Sequence, residues 1–150
     1  MSFSLIRCGI DGLPVVPISL VSDAIRSTYA ATADLYRRVG FVEPWVSYIA
    51  ASSDQAVGGG AFIGSPRKNR VEIAYFTLPE FEGRSYATQT ATKLLAIARK
   101  SIPNIVITAL TLPEHNASTT ILHRLGFSLV GNSCDPDAGD VWEWRTQKNA

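Results

Sequence analysis

The 150-residue chain is predicted to fold as an α+β unit, a mixed and mostly antiparallel sheet with helices packed on it. Three observations carry this prediction. Hydrophobic period and turn residues give the order βαβββαβαββ. Consecutive short strands joined by polar turns stand between the first and second helices, which a regular doubly wound parallel sheet does not allow. Hydrophobic residues make up 46% of the chain and charged ones 18%, enough to bury one core at this length without staples. One domain over residues 1–150 is expected.

Residues 3–8 (FSLIRC) read as the first strand. Gly9, Gly12, Pro14 and Pro17 then break regular structure. Ser22 is a helix N-cap with Asp23 in the first turn. Ile25, Thr28, Tyr29, Thr32, Leu35, Tyr36 and Val39 share one helical face, and Gly40 ends the helix. Residues 45–51 (WVSYIAA) form the second strand, residues 52–56 a turn, and residues 57–64 the third strand. Gly58, Gly59 and Gly60 inside that strand mark a bulge, a close approach by another group, or a flexible edge. Residues 65–70 (SPRKNR) are a hairpin turn into the central strand, residues 71–78. Pro79 to Gly83 breaks it, and a helix begins at Arg84. Ala87, Ala91, Leu94, Leu95, Ala98 and Ile102 form that helix's buried face. Pro103 and Asn104 stop it. Residues 105–112 (IVITALTL) are a further strand. Asn116 caps a short helix whose inner stripe is Ser118, Ile121, Leu122 and Leu125, closed by Gly126. Residues 127–130 and 141–145 finish the sheet as an antiparallel pair.

Charge and cysteine content exclude several classes. A net charge of +1 gives no general attraction to nucleic acid or to an anionic membrane. Cys8 and Cys134 match no metal or redox spacing and read as plain thiols of a reducing compartment. Asp135, Asp137 and Asp140 lack calcium-loop spacing and read as solvated turn residues, so no metal is expected. No signal peptide is evident, and no apolar run approaches the roughly 20 residues that span a bilayer. A cytoplasmic protein is expected.

The chemistry concentrates at residues 71–101. A strand that runs through a glycine-containing turn into a helix gathers free amides and the positive end of a helix dipole at one point, a site for an anion such as a pyrophosphate. Many such units bind nothing, so other parts of the chain must agree.

They agree in a resemblance. VEIAYFTLPEFEGRSYATQTATKLL, the later LPEHNASTTILHRLGF, and the strand WVSYIAA followed by AVGGGAFIG are similar to the signatures of the GNAT superfamily of acyl-CoA-dependent N-acetyltransferases, over roughly residues 43–130. The nearest branch resembles the ribosomal-protein alanine acetyltransferases and their small-molecule-acetylating relatives. The resemblance implies the GNAT fold, splayed between its central strands with helices on both faces. It also implies acetyl-CoA as cosubstrate. The acceptor would be a primary amine on a small molecule or a protein N-terminus, attacking directly in a ternary complex.

Residue by residue, the family loop Gln/Arg-x-x-Gly-x-Gly/Ala falls on Glu82, Ser85 and Ala87. Glu82 and Ser85 depart from the pattern, and Gly83 and Arg84 are placed to compensate. Phe76, Thr77, Leu78, Gly83, Arg84, Ser85, Tyr86, Ala87, Thr88, Asn116 and Ser118 are the implied cofactor-binding residues, with amides near residues 76–78 facing the acyl carbonyl. Asn116 and Ser118 serve equally well as helix caps. Glu72 matches a catalytic base of the superfamily; the alternative is an exposed carboxylate or a partner of Arg67 or Arg70. Leu122 stands where many members place an acidic tyrosine, leaving water or His123 for that role, or His123 as a plain surface residue. Trp45, Tyr48 and Tyr75 are acceptor-side candidates, together with Phe62, Tyr29 and Tyr36, unless they are core; His115 is a loop residue that could join them. A monomer or homodimer is expected. Two alternatives stay open. One is a non-catalytic acyl-CoA sensor. The other is transfer of a longer acyl group, for which Arg67, Lys68 and Arg70 are the one nearby basic cluster, otherwise a solvated hairpin.

Overall fold

The computed structural model describes residues 2–146. The elements run β1 (Phe3–Arg7), α1 (Asp23–Val39), β2 (Ser47–Ser52), β3 (Gln55–Phe62), β4 (Arg70–Thr77), α2 (Tyr86–Ser101), β5 (Val106–Thr111), α3 (Ala117–Arg124), β6 (Phe127–Asp135) and β7 (Gly139–Thr146). The strands make one sheet in the order β1-β2-β3-β4-β5-β7-β6. Every neighbouring pair is antiparallel except β4 and β5. This is the mixed sheet expected from the sequence. The parallel pair has a simple origin: β4 and β5 are joined by a whole helix, which a hairpin turn cannot replace.

Strand alternation sorts the two faces of β4. A Cβ added at Gly60 would meet Leu94 and Thr90 of α2, and Gly60 pairs with Tyr75. Val71, Ile73, Tyr75 and Thr77 therefore face α2 and α3, while Glu72, Ala74, Phe76 and Leu78 face α1. Leu94, Leu95 and Ala98 of α2 pack with Ile73, Ile107 and Leu122 in the larger core cluster. Ile25 of α1 packs with Cys8, Ile49 and Leu78 in a smaller one. Helices thus cover both faces.

Caps fix the ends of α1. The Ser22 hydroxyl accepts from the Ile25 N–H at 3.4 Å, and the Gly40 N–H donates to the Tyr36 carbonyl at 2.8 Å. Tyr36 ties this helix to the sheet. Its hydroxyl donates to the Cys8 carbonyl and accepts from the Ser47 N–H, each at 2.9 Å. Both backbone groups lie at the junction of β1 and β2, so Tyr36 is a structural pin and takes no part in the acceptor side.

Most strands lie within two residues of their expected bounds, and the main differences are these. Residues 79–81 form a short 3-10 turn, and α2 starts at Tyr86, later than Arg84. The final hairpin is longer on both strands and leaves only a tight turn. In that turn the Asp135 carboxylate accepts from the N–H groups of Asp137 and Ala138 at 2.8 and 2.9 Å.

The three glycines of β3 serve both a bulge and a close approach. Register with β2 shifts between Gly58 and Ala56, which leaves Val57 as the extra residue. A Cβ at Gly58 would stand 2.2 Å from the Phe76 carbonyl oxygen, a backbone atom that cannot move aside. At Gly60 its nearest atoms would be side-chain carbons, Leu94 Cδ1 at 2.8 Å and Thr90 Cγ2 at 2.9 Å, with no backbone atom closer than 3.5 Å. Gly58→Ala is therefore expected to cost at least about 3 kcal/mol in urea unfolding, and Gly60→Ala about 1 kcal/mol.

Candidate functional site

β4 loses one neighbour halfway along. On the β3 side its pairing runs from Ile73 with Phe62 to Thr77 with Gly58, and the Leu78 N–H then donates to the Val57 carbonyl at 2.9 Å. On the β5 side pairing stops at Ile73 with Ala109. Backbone alternation assigns the amides beyond that point. Leu78, Phe76 and Ala74 turn their N–H groups toward β3, so Tyr75 and Thr77 present theirs to the open edge. This corrects the expected set of amides at residues 76–78. Leu78 is occupied, Phe76 points away, and Tyr75 joins Thr77.

A cleft of 550 Å³ opens beside this edge. Tyr75, Phe76 and Thr77 line it from β4. Phe81, Glu82, Gly83 and Ser85 line it from the loop, and Tyr86, Ala87 and Thr88 from the first turn of α2. Ala117, Ser118, Thr120, Ile121 and Arg124 close it from α3. Ser85 holds a left-handed backbone (φ 67°), and its side chain caps nothing. The first main-chain bond of the helix is from the Gln89 N–H to the Ser85 carbonyl at 3.0 Å. The amides of Tyr86, Ala87 and Thr88 precede it and point out of the helix end, so the floor of the cleft suits an anion. The Thr77 hydroxyl adds a buried polar atom with no partner among the described residues.

The charges around the cleft differ from the sequence reading. Arg84 lies over the Phe81 ring, 5.7 Å from its centroid, and does not line the cleft. Arg124 does. Its only sequence signal was a basic residue in a last helical turn, which a helix dipole explains by itself. Glu82 lines the cleft as well. Asn116 is committed to a capping box with Thr119 and reaches only a smaller cavity of 180 Å³ between β4, β5 and α3.

The α1 face carries a separate groove of 320 Å³, lined by Cys8, Thr28 and Thr32, by Ser47, Tyr48 and Ile49, by Gly60 and Ala61, and by Ala74, Tyr75 and Phe76. Tyr48 and Tyr75, two of the acceptor-side candidates, both line this groove. Trp45 does not. It packs edge-on against Phe62 with ring centroids 5.1 Å apart, inside the core. The Tyr48 hydroxyl donates to the Pro44 carbonyl at 2.7 Å. His115 packs edge-on against Trp142 with ring centroids 4.9 Å apart, outside the groove.

Glu72 lies further down the same face of β4, in a 710 Å³ polar cavity with Arg38, Arg67, Arg70, Thr108, Glu143 and Arg145 among its lining. Among the described residues no ion pair joins it to Arg67 or Arg70; Arg145 pairs with Glu143 at 2.7 Å instead. Burial raises the Glu72 pKa, and the nearby carboxylates of Asp135 and Glu143 push it further the same way. A half-buried, unpaired carboxyl with a raised pKa is the environment of a proton acceptor.

Comparison with known proteins adds the following. Residues 20–128 match the family model described as acetyltransferase (GNAT) domain. No curated protein sequence matches the chain. Similar solved structures include an N-acetyltransferase from Staphylococcus aureus Mu50, 13% identical, covering 98% of this chain and 99% of that one, with a TM-score of 0.67. The structure of yncA from Salmonella typhimurium with its cofactor acetyl-CoA is 15% identical, covers 100% of this chain and 96% of that one, and has a TM-score of 0.66. RimL, a ribosomal L7/L12 alpha-N-protein acetyltransferase in complex with coenzyme A, is 17% identical, covers 83% of this chain and 72% of that one, and has a TM-score of 0.64.

The raised pKa of Glu72 has a thermodynamic signature. A carboxyl with a higher pKa in the folded than in the unfolded state binds its proton more tightly when folded. Stability therefore falls as pH rises from the unfolded value through the folded one. Glu72→Gln removes this term. The variant should melt above the wild type at pH 7–8, and the gap should close toward pH 4 in thermal scans.

Proposed function

The chain belongs to the GNAT acetyltransferase domain family, and from that premise we propose that it moves an acetyl group from acetyl-CoA to a primary amine of a small molecule or a protein N-terminus. The observation that carries the reading is the open edge of β4, two amides facing a cleft whose floor is the N-terminus of α2. Acetyl-CoA supplies a thioester whose carbonyl an amine attacks, giving an oxyanion and then a thiolate. The amides of Tyr75 and Thr77 are oriented to bear on that oxygen without reorganising. The amides of Tyr86, Ala87 and Thr88, with Arg124, suit a pyrophosphate. The Thr77 hydroxyl and the Ser118 backbone suit the polar groups of a pantetheine arm.

The acceptor enters from the α1 face, along the groove between Thr28, Thr32, Ala74 and Phe76. Glu72 stands two residues from Ala74 on that face, about 7 Å along the strand. It takes the proton of the ammonium group through one intervening water. Transfer is direct. Burial pushes the Cys8 thiol in the groove up to about 12, so its thiolate is scarce and no acyl-cysteine forms there. Cys8 and Cys134 are both free thiols, in keeping with a reducing cytoplasm, and among the described residues no helix is long and apolar enough to cross a membrane. The chain acts as one acetyltransferase domain.

A second reading is favoured by Glu82, an acidic residue that lines the cleft on the side of the α2 N-terminus. In that reading the protein binds acyl-CoA and does not turn it over.

Calorimetry with acetyl-CoA, followed by thiol release over a panel of amines, tests both. Binding with turnover supports transfer, binding without turnover supports a sensor, and no binding removes both. Arg124→Ala should weaken CoA binding about ten-fold or more, as loss of a charge-assisted phosphate contact does, and should flatten the salt dependence. Glu72→Gln should lower turnover at least about ten-fold and leave the CoA affinity unchanged. The wild-type rate should fall on acidification as Glu72 takes up its proton, at a pH above the ordinary carboxylate range. The Gln variant should lack that limb.

A further inference from the structure

We propose that the Tyr75 hydroxyl is the hydrogen-bond donor to the departing sulfur, so that a side chain of β4 supports cleavage of the thioester. The inference rests on the acetyl-transfer reading above. The reacting atoms must lie where the cofactor cleft meets the acceptor groove. Among the described residues, only Tyr75 and Phe76 line both. The Phe76 side chain has no polar atom. Tyr75 also lines the small cavity between β4, β5 and α3, and among the described residues it alone is common to all three spaces.

The phenol is held on the cofactor side of this junction without being used up. Its hydroxyl reaches across to the Ser118 carbonyl of α3 at 3.4 Å. An O–H···O bond is ordinarily about 2.7–2.8 Å, so this contact leaves the donor available to a better acceptor. Among the described residues, the remaining donors line at most one of cleft and groove: Thr77, Ser118 and Thr120, for example, line the cofactor cleft and not the acceptor groove. The Tyr86 hydroxyl donates to the Ser52 hydroxyl at 3.3 Å, on the far side of the α2 N-terminus. Leu122, on the inner stripe of α3, is fully buried and apolar. His123 is exposed and lines none of the three spaces.

The step balances as follows. The amine lone pair forms the C–N bond, and the C–S bond breaks with its electron pair going to sulfur. The nitrogen loses one proton to the base on the α1 face. The sulfur leaves as a thiolate that accepts the Tyr75 O–H and later takes a proton from solvent. Burial pushes the Tyr75 phenol up to about 12, above the roughly 8.5 of an alkyl thiol. The proton therefore stays on the phenol oxygen, and the donor is intact across the neutral range.

Tyr75→Phe tests this with two acetyl donors, acetyl-CoA and the acetyl thioester of 4-nitrothiophenol, whose thiolate needs no help to leave. With acetyl-CoA the variant should be slower by about 10- to 100-fold, the range for loss of a hydrogen bond to a charged group. With the aryl donor the difference should shrink to within about two-fold, and CoA affinity by calorimetry should be unchanged. An undiminished rate with acetyl-CoA, or the same loss with both donors, would overturn the proposal. If the Phe variant does not fold, 3,5-difluorotyrosine at position 75 keeps the shape and makes the phenol more acidic. Its rate with acetyl-CoA should then rise, and an equal or lower rate counts against the role. A wild type that releases no thiol with any amine overturns the acetyl-transfer reading itself, and the Tyr75 role with it.

Discussion

Everything at this site follows from a strand that is hydrogen-bonded on one edge and released on the other. β4 keeps β3 from Ile73 to Thr77 but holds β5 only from Arg70 to Ile73. A buried main-chain group without a partner costs free energy, so a sheet does not open without a compensating gain. Here α3 fills part of the gap. Tyr75 bridges to Ser118, and Leu122 packs into the core beneath. β5 meanwhile turns to β7, where the Trp144 indole N–H donates to the Thr111 hydroxyl at 3.0 Å. The opening is braced on both sides, and the polar groups left in it are those that a ligand would satisfy.

The same strand separates two chemical tasks by its period of two. Side chains at odd positions look toward α2 and α3, where the free amides of the α2 N-terminus and Arg124 gather. Those at even positions look toward α1, where Glu72 keeps an unpaired carboxyl among other acids. A cosubstrate and an acceptor can then approach from opposite faces and meet at the gap. Charge follows the same division. The amides of a helix N-terminus favour negative phosphates. On the other face, loss of solvent, with repulsion by Asp135 and Glu143, raises the pKa of Glu72.

Much of this was legible in the sequence, for physical reasons that differ by element. The β-branched run at residues 71–78, the stop at Pro79 and the apolar stripe of Ala91, Leu94, Leu95 and Ala98 are local signals, and they located β4 and α2. The parallel pairing of β4 with β5 follows from the intervening helix. The amide set did not follow, because which N–H groups stay free depends on where pairing with a distant strand ends. The length of β6 was hidden by Gly131, Asn132 and Ser133, which have turn chemistry but take their ladder bonds from β7. Arg124 was missed because a helix end accounts for a cation without any ligand. Trp45 was placed with the acceptor because an aromatic on a strand reads alike whether it lines a groove or fills a core. Arg84 had the right charge at the right place in the chain, and the Phe81 ring holds it beside the cleft.

The most direct measurement is residue-resolved amide hydrogen exchange with and without acetyl-CoA. In the free protein the Tyr75 and Thr77 amides should exchange quickly while that of Leu78, bonded to Val57, is protected. Saturating acetyl-CoA should slow the first two and leave Leu78 as it was. Tyr75 and Thr77 already protected in the free protein, or still fast with the cosubstrate bound, would contradict the claim that the open edge of β4 is what receives the thioester.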